Sequence, residues 1–389
     1  MNLLRATLLL VALAMAGPLA YAGEDELTHK IPPGYQPDEA KDEKGLWHEF
    51  EEMERSLNKS ALLVRDPDIV TYMNEIVCRV AAAYCNDFRV YIVRNSNFNA
   101  SMAATGMMEI WTGLILRAGS TDEIAAVVGH EIAHYTRLHS LERFRGIKKK
   151  LAAGSFFDIA VTLATGYSTP LGQLTAIMSA LAFSREQETE ADILGARITA
   201  NAGYDPHATY RVWDRILAEE EAAAVKREDH GMFAKTHPAS EDRARYLKSW
   251  VEARYGPPDQ EQVADEKLLS ILNSHYMMLM EDQLATNRFG RTRELLERHS
   301  EIGVEPSLVR YFYGEMFRQR GEEGDADLAV AAYRHSIEGG KPPPEAYKQL
   351  GYLLLKSRDT AAAQDSFRTY LEVNPEASDR AMIEFYLEE

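Results

Sequence analysis

The chain has 389 residues, of which 46% are hydrophobic and 26% charged, and its formal net charge at pH 7 is −17. This length and composition predict a globular protein of two or more domains and exclude a disordered or fibrous chain. Because phosphate binding needs clustered basic surface, the acidic excess also argues against nucleic acid as a partner.

Residues 1–22 have the pattern of a Sec-type signal peptide. Arg5 precedes an apolar run over 7–16, and Ala20-Tyr21-Ala22 forms the expected cleavage site. Cleavage removes one arginine and no acidic residue, so the net charge moves from −17 to −18. The run is too short to span a bilayer, so we expect export to the periplasm. The residue directly after the cleavage point is Gly23 and not cysteine, so no lipid anchor is expected. Residues 23–44 are predicted to form a flexible linker.

Cys78 and Cys85 are the only cysteines, and they lie near the end of a helix that Asp66-Pro67 is predicted to begin. On an uninterrupted helix, Cα atoms seven residues apart are separated by about 10 Å, which is too far for a disulfide. If the helix ends before Cys85, an exported protein could form the bond. Both outcomes are open from the sequence.

A small sheet is predicted from residues 88–94, a short segment rich in Val, Ile and Tyr, and from a second pair of segments, 97–103 and 107–112, on either side of Thr105-Gly106. The edge of such a sheet can hold a peptide as an added strand, which recognises the backbone of the peptide and not its sequence. A purely structural sheet is the alternative.

The next helix carries the sequence H-E-x-x-H at residues 130–134. Ser120 and Glu123 have the spacing of a capping box, which marks the start of this helix. Because residues four apart share one helix face, His130 and His134 can bind one zinc ion while Glu131 lies beside the position of a zinc-bound water. A helix with two structural histidines is the alternative.

A catalytic zinc site uses three protein ligands and keeps one position for water, so a further ligand is required. His139 follows His130 by nine positions, about 180° around a continuous helix, and is expected to point away from the metal. The chain after His134 also lacks the glycine of the metzincin extension. The third ligand is therefore expected from another element.

An apolar stretch, 151–183, follows and is interrupted at 166–170. Each half is shorter than the roughly 20 residues needed to span a bilayer, so two packed helices are predicted. Peripheral membrane contact and a lid over the cleft are alternatives.

A charged helix start, S-R-E-Q-E-T-E-A-D, occupies 184–192. Glu188 and Asp192 are four apart, so one carboxylate can bind zinc while the other accepts the free ring N–H of a liganding histidine. Such pairs are more often solvated helix surface. The H-E-x-x-H motif favours the metal site.

The combination of H-E-x-x-H and S-R-x-x-E-x-x-A-D resembles metallopeptidase family 48 over residues 45–255. The resemblance implies an α+β zincin-like (gluzincin) domain, mostly helical with a small sheet, holding one Zn²⁺ per chain. It implies that His130, His134 and Glu188 are the zinc ligands and Glu131 the catalytic base. It also implies that Asp192 supports or protonates at the site.

A further family-like segment runs from Thr236 to Arg243, with Pro238 at a helix start and His237 just before it. His237 is interpreted either as stabilising the oxyanion of the transition state or as occupying the open zinc position in a resting form. A helix-start residue without chemistry is the alternative.

After a linker at 255–259, residues 262–389 predict an all-α domain of tetratricopeptide-like repeats. Ala329 and Tyr333 precede the equivalent residues Ala363 and Phe367 by 34 positions, which is one repeat length. A weaker unit spans 268–306, and a last helix containing Ile383 would cap the array. The residues at signature positions of the repeat are Tyr347, Leu350, Gly351, Leu354, Ala363, Phe367, Tyr370 and Pro375.

These features predict a periplasmic zinc-dependent endopeptidase that hydrolyses misfolded or unassembled polypeptides. Family members that join the same two modules imply a role in quality control of outer-membrane proteins, with the repeats binding a protein partner such as the outer-membrane assembly machinery. The alternative is a chaperone or adaptor in which the repeats act and the zinc site is structural or latent.

Overall fold

The computed structural model describes residues 28–37, 42–150, 183–222, 237, 241–258 and 264–388. The predicted signal peptide, most of the apolar stretch 151–183 and the predicted helix start at Pro238 lie outside these residues. Within the described ranges, no helix has the length and apolar character needed to cross a membrane.

The described chain is mostly helical with one small sheet, as the sequence predicts. The elements of the first part are α1 (Glu43–Leu57), α2 (Pro67–Ala81), β1 (Arg89–Val93), β2 (Ala100–Met102), β3 (Met107–Trp111), α3 (Thr112–Arg117), α4 (Thr121–Thr136), α5 (His139–Lys150), α6 (Arg185–Asn201), α7 (Ala208–Ala222) and α8 (Glu241–Tyr255). Those of the second part are α9 (Glu266–Leu284), α10 (Phe289–Ile302), α11 (Pro306–Arg320), α12 (Asp325–Glu338), α13 (Pro344–Lys356), α14 (Thr360–Val373) and α15 (Arg380–Glu388).

Side-chain caps fix the starts of the two helices that carry the sequence motifs. The Ser120 hydroxyl accepts a hydrogen bond from the Glu123 backbone N–H at the start of α4. The Glu123 carboxylate bonds the Gly119 N–H, one residue earlier than a capping box requires. At the start of α6, Ser184 and Gln187 form a complete capping box.

Cys78 and Cys85 form a disulfide. Helix α2 ends at Ala81, and a 3-10 helix over Ala82–Asp87 returns the chain, so the two Cα atoms lie 4.6 Å apart. Disulfides of this kind usually form in oxidising compartments.

The sheet has the strand order β1-β3-β2, with β1 parallel and β2 antiparallel to β3. Gly106, at φ +79°, makes the turn between β2 and β3. Strand β2 lies at one edge and packs against α4. The three strands fall within the predicted segments.

Glu109 is a buried acid in the central strand, on the face that packs beneath α1. Its carboxylate accepts a 2.5 Å hydrogen bond from the Trp111 indole N–H. Burial raises the pKa of Glu109 to about 7 in spite of this bond. The folded protein therefore holds this proton more tightly than the unfolded chain does.

We expect Glu109→Gln to become progressively more stable than the wild type as the pH rises. A raised carboxyl pKa contributes stability that is complete below the unfolded pKa and is lost as pH rises through about 7. Between pH 5 and 8 the difference in free energy of unfolding should shift by about 2–3 kcal/mol in favour of the variant. Urea denaturation at both pH values measures it, and a pH-independent difference would contradict the assignment.

Residues 28–37, part of the predicted flexible linker 23–44, pack against the first part of the chain. The Lys30 N–H donates to the carbonyl of Thr136 at the end of α4, and the Tyr84 hydroxyl donates to the carbonyl of Ile31. Ile31 is buried. This segment lies over the end of the helix that carries H-E-x-x-H.

The helices of the second part pack in sequence, and the first two also pack against the first part. One hydrophobic cluster continues from Val128 in α4 to Tyr370 in α14. Aromatic rings fill matching positions, since a Cβ on Gly314 would meet the ring of Tyr333 and a Cβ on Gly351 the ring of Phe367. Small residues thus allow close helix contact in both pairs.

A buried ionic bridge joins the two parts. The Glu219 carboxylate in α7 accepts hydrogen bonds from Arg117, at the end of α3, and from Arg298 in α10. The Arg117 guanidinium also donates to Gln283 Oε1 in α9 over 2.7 Å. Beside it, His299 Nε2 donates to the carbonyl of Leu116 over 2.8 Å.

Candidate metal centre

Helices α4 and α6 approach closely because glycines meet at their crossing. A Cβ on Gly195 would lie 2.9 Å from the N and Cα atoms of His130, and a Cβ on Gly129 would lie 2.9 Å from the carbonyl oxygen of Gly195. These obstacles are backbone atoms, which cannot turn aside as a flexible side chain could, and a Cβ on Gly129 would also lie 2.8 Å from Thr199 Oγ1. The crossing brings the carboxylates of α6 within reach of the histidines of α4.

Gly195→Ala is expected to lower the free energy of unfolding by about 1–3 kcal/mol, the usual cost of overpacking a core. Gly146→Ala is the matched control, because Gly146 is also within a helix and a Cβ there meets no atom of the described residues within 4 Å. That change should raise stability by about 0.5–1 kcal/mol. Urea denaturation compares the two, and equal stability would show that the helices separate without cost.

Four side chains bring potential metal-binding atoms together: His130, His134, Glu188 and His237. The Nε2 atoms of His130 and His134 lie 3.0 Å apart. His237 Nδ1 is 3.3 Å from His130 Nε2 and 3.0 Å from Glu188 Oε1. The same Glu188 oxygen is 3.6 Å from His134 Nε2. All four residues are buried.

These spacings fit a tetrahedral zinc ion. Bonds of about 2.0–2.1 Å in a tetrahedron place neighbouring donor atoms about 3.3 Å apart, and the separations above range from 3.0 to 3.6 Å. The donor set of imidazole nitrogens and one carboxylate oxygen is also one that zinc prefers. The residues present therefore fit a zinc ion.

Burial and neighbouring charges both shift the pKa values of these groups. Burial, together with His130 and His237, holds the pKa of His134 well below its ordinary value, so its ring is neutral. Burial opposes ionisation of Glu188, but Arg243 and His237 lower its pKa overall. Burial opposes protonation of His237, whereas Glu188 and Glu131 raise its pKa.

Glu131 lies beside the cluster and is almost fully buried. Its Oε1 atom is 3.5 Å from His237 Nε2 and has no hydrogen-bond partner among the described residues. Burial raises the pKa of this carboxyl. A buried carboxylate with a free oxygen and a raised proton affinity can accept a proton from a nearby molecule.

Asp192 contacts the His130 ring on the side that faces away from the cluster. Its Oδ1 atom is 3.1 Å from His130 Nδ1, the ring nitrogen that faces away from the cluster. Arg243 donates two hydrogen bonds to Asp192, contacts Glu188 Oε2 at 2.6 Å and stacks over the ring of Trp213. Burial opposes ionisation of Asp192, but Arg243 lowers its pKa to about 2. Asp192 is thus placed to orient His130 and not to donate protons.

His139 lies closer to the centre than a continuous helix would allow. Helix α4 ends at Thr136, and Leu138 adopts φ +59°, which turns the chain before α5. The His139 ring consequently packs beside His134, with 2.9 Å between the two Nδ1 atoms. The sequence expectation that His139 points away was wrong about its position, although His139 does not belong to the four-residue cluster.

Phe183 covers the other side of His134. The two rings stack with centroids 3.9 Å apart and an interplanar angle of 19°. Phe183 also contacts the rings of His139 and His237. It directly precedes Ser184, so the cap of α6 holds an apolar wall against the candidate ligands.

Residues 64–251 match a family model described as Peptidase family M48. The chain is 29% identical to "Mitochondrial metalloendopeptidase OMA1" of Schizosaccharomyces pombe over 46% of this chain and 52% of that protein. The Arabidopsis thaliana protein of the same name is 30% identical over 41% of this chain and 31% of its own length. "Beta-barrel assembly-enhancing protease" of Escherichia coli K12 is 24% identical over 49% and 40%, respectively. The chain thus spans about half or less of these curated relatives.

Proposed function

The chain belongs to peptidase family M48 through its residues 64–251, and from that membership we propose that it is a zinc-dependent endopeptidase that cleaves unfolded or unassembled polypeptides. One observation supports this most directly. His130, His134 and Glu188 bring donor atoms to one point, and beside it lies an oxygen of Glu131 that has no hydrogen-bond partner in the part of the chain that the structure describes.

In the proposed reaction, His130, His134 and Glu188 would hold a zinc ion, which when bound would supply an acidified water and a Lewis acid for the scissile carbonyl. Glu131 Oε1 accepts the proton of the attacking water and delivers it to the leaving amine. Asp192 fixes the ring orientation of His130 through Nδ1. Arg243 balances the charge of Glu188 and Asp192, so both remain ionised in the core.

We propose further that His237 occupies the fourth ligand position in the resting enzyme. Its Nδ1 atom lies at the spacing of a ligand from both His130 Nε2 and Glu188 Oε1. His237→Ala should then increase casein cleavage by the zinc-loaded protein. A decrease would contradict the resting role and favour oxyanion stabilisation.

Substrate is proposed to bind as an extended strand along β2. This strand lies at the sheet edge and packs against α4, so a peptide paired with it would run beside the candidate centre. Pairing of this kind recognises the backbone, which suits unfolded chains of varied sequence.

The proposed compartment is the periplasm, and the proposed setting is quality control of outer-membrane proteins. The Cys78–Cys85 disulfide supports an oxidising compartment, as does the signal-like sequence over 1–22. One relative is named a beta-barrel assembly-enhancing protease, whereas others are named mitochondrial. The helices of 264–388 are proposed to form tetratricopeptide-like repeats that bind a protein partner, such as the outer-membrane assembly machinery.

Zinc content and casein cleavage test the proposal on the mature chain. We expect about one zinc ion per chain, loss of cleavage on chelation and recovery when zinc is restored. A chain that holds no zinc would refute the metal assignment. Zinc without cleavage, in the wild type and in His237→Ala alike, would refute the peptidase and favour the adaptor alternative.

A further inference from the structure

His139 joins the candidate ligand His134 to a charged pair at the protein surface. His139 is fully buried, and its Nδ1 atom lies 2.9 Å from His134 Nδ1. Its other ring nitrogen, Nε2, lies 3.3 Å from Glu190 Oε2. Arg137 donates hydrogen bonds of 3.1 and 2.8 Å to the same carboxylate oxygen and so fixes its position.

The direction of each hydrogen bond follows from the metal assignment. His134 presents Nε2 to the cluster, so metal binding through Nε2 leaves its ring proton on Nδ1. That N–H must donate to His139 Nδ1, because two facing ring nitrogens need one donor and one acceptor. His139 then carries its proton on Nε2, where the Glu190 carboxylate can accept it. Every ring nitrogen in the series has one consistent role.

We propose that His139 is the positioning residue for the zinc ligand His134, with Glu190 and Arg137 setting the tautomer of His139. It corresponds in role to Asp192, which bonds Nδ1 of the other ligand, His130. The inference rests on the proposed zinc site. In this arrangement the free ring N–H of His134 donates to an imidazole nitrogen, whereas the free ring N–H of His130 donates to a carboxylate oxygen.

Loss of the His139 acceptor should weaken zinc binding by His134. Groups that bond the free N–H of a liganding histidine fix its ring and tautomer, and their loss usually weakens metal binding 10- to 100-fold. His139→Phe keeps an aromatic ring but leaves the His134 N–H without an acceptor. His139→Asn returns an acceptor oxygen close to the position of Nδ1. The two variants therefore separate orientation of His134 from filling of space.

The experiment measures zinc affinity by chelator competition at one fixed pH, with the thermal midpoint of each zinc-free protein alongside. His139→Phe should bind zinc 10- to 100-fold more weakly than the wild type, and His139→Asn within a few fold of it. His207→Phe is the matched control, because His207 is buried and doubly hydrogen bonded to Asp205 and the carbonyl of Gly256. It should lower the thermal midpoint and leave zinc affinity unchanged.

Nitrogen NMR of the zinc-loaded protein gives a second measurement, which should place protons on His134 Nδ1 and His139 Nε2. Unchanged affinity in His139→Phe, or equal weakening in His139→Asn, would overturn the positioning role while the wild type still binds zinc. A proton on His139 Nδ1 would also overturn it. Failure of the wild type to bind zinc would instead refute the proposed function, and the positioning role with it.

Discussion

Glu131→Gln is expected to reduce casein cleavage by 10²- to 10⁴-fold while the protein keeps its zinc and its fold. The amide cannot accept the proton of the attacking water, and Glu131 is not one of the four clustered ligands. Burial raises the pKa of this carboxyl, so the native state carries the cost of an acid held in the core. The variant should therefore unfold at the same or a higher temperature than the wild type.

Glu109→Gln is the matched control for this change. Glu109 is also a buried carboxyl, but it lies in the sheet beneath α1, away from the four-residue cluster. Cleavage by that variant should equal that of the wild type. Casein assays at equal zinc content compare the two, and substantial cleavage by Glu131→Gln would refute Glu131 as the base.

Arg243→Met is expected to lower the free energy of unfolding of the zinc-free protein by about 3–5 kcal/mol, the usual result of removing one partner from a buried ion pair. The guanidinium contacts Asp192 with two hydrogen bonds and Glu188 at 2.6 Å, and none of the three side chains is more than 9% exposed. Its loss leaves two carboxylates close together without that cation. Urea denaturation of the zinc-free and zinc-loaded forms measures the effect.

Zinc should reduce this loss, because a cation bound by Glu188 replaces part of the missing positive charge. Arg243→Lys should recover only part of the stability, since an ammonium cannot reproduce the paired hydrogen bonds to Asp192. Arg368→Met, at an exposed pair with Asp365, should change stability by less than about 1 kcal/mol. An equal loss with and without zinc would contradict the proposed link between Arg243 and the metal site.

The shared faces of the candidate site residues could be predicted because helical spacing is regular. The four-residue period places His130 and His134 on one face of α4, and Glu188 and Asp192 on one face of α6, once each helix start is marked by its serine cap. The ligand roles themselves came from the resemblance to metallopeptidase family 48. The sequence could not predict His139 beside His134. Leu138 turns the chain at φ +59° without a glycine or proline to signal it.

Arg243 was missed for a different reason. The segment ending at Arg243 predicted a helix start, but it could not predict which residues Arg243 contacts. Its contacts to Glu188 and Asp192 depend on how α8 packs against α6. The disulfide was undecided because the break in α2 falls among alanines, where Ala82 adopts φ +50°. Both features are set by tertiary packing that local propensity does not encode.

The ionic bridge through Glu219 has a practical consequence for anyone who divides this chain. The composition of 255–259 suggests a safe cut, yet a fragment ending there would keep Arg117 and Glu219 and lose Arg298, together with the apolar surfaces of α9 and α10. Such a fragment would expose a hydrophobic face, which favours aggregation, and would leave Glu219 without one of its two arginine partners. We therefore expect the smallest unit that folds independently to extend past Ile302, so that loss of activity in a shorter fragment would report misfolding and not a missing partner.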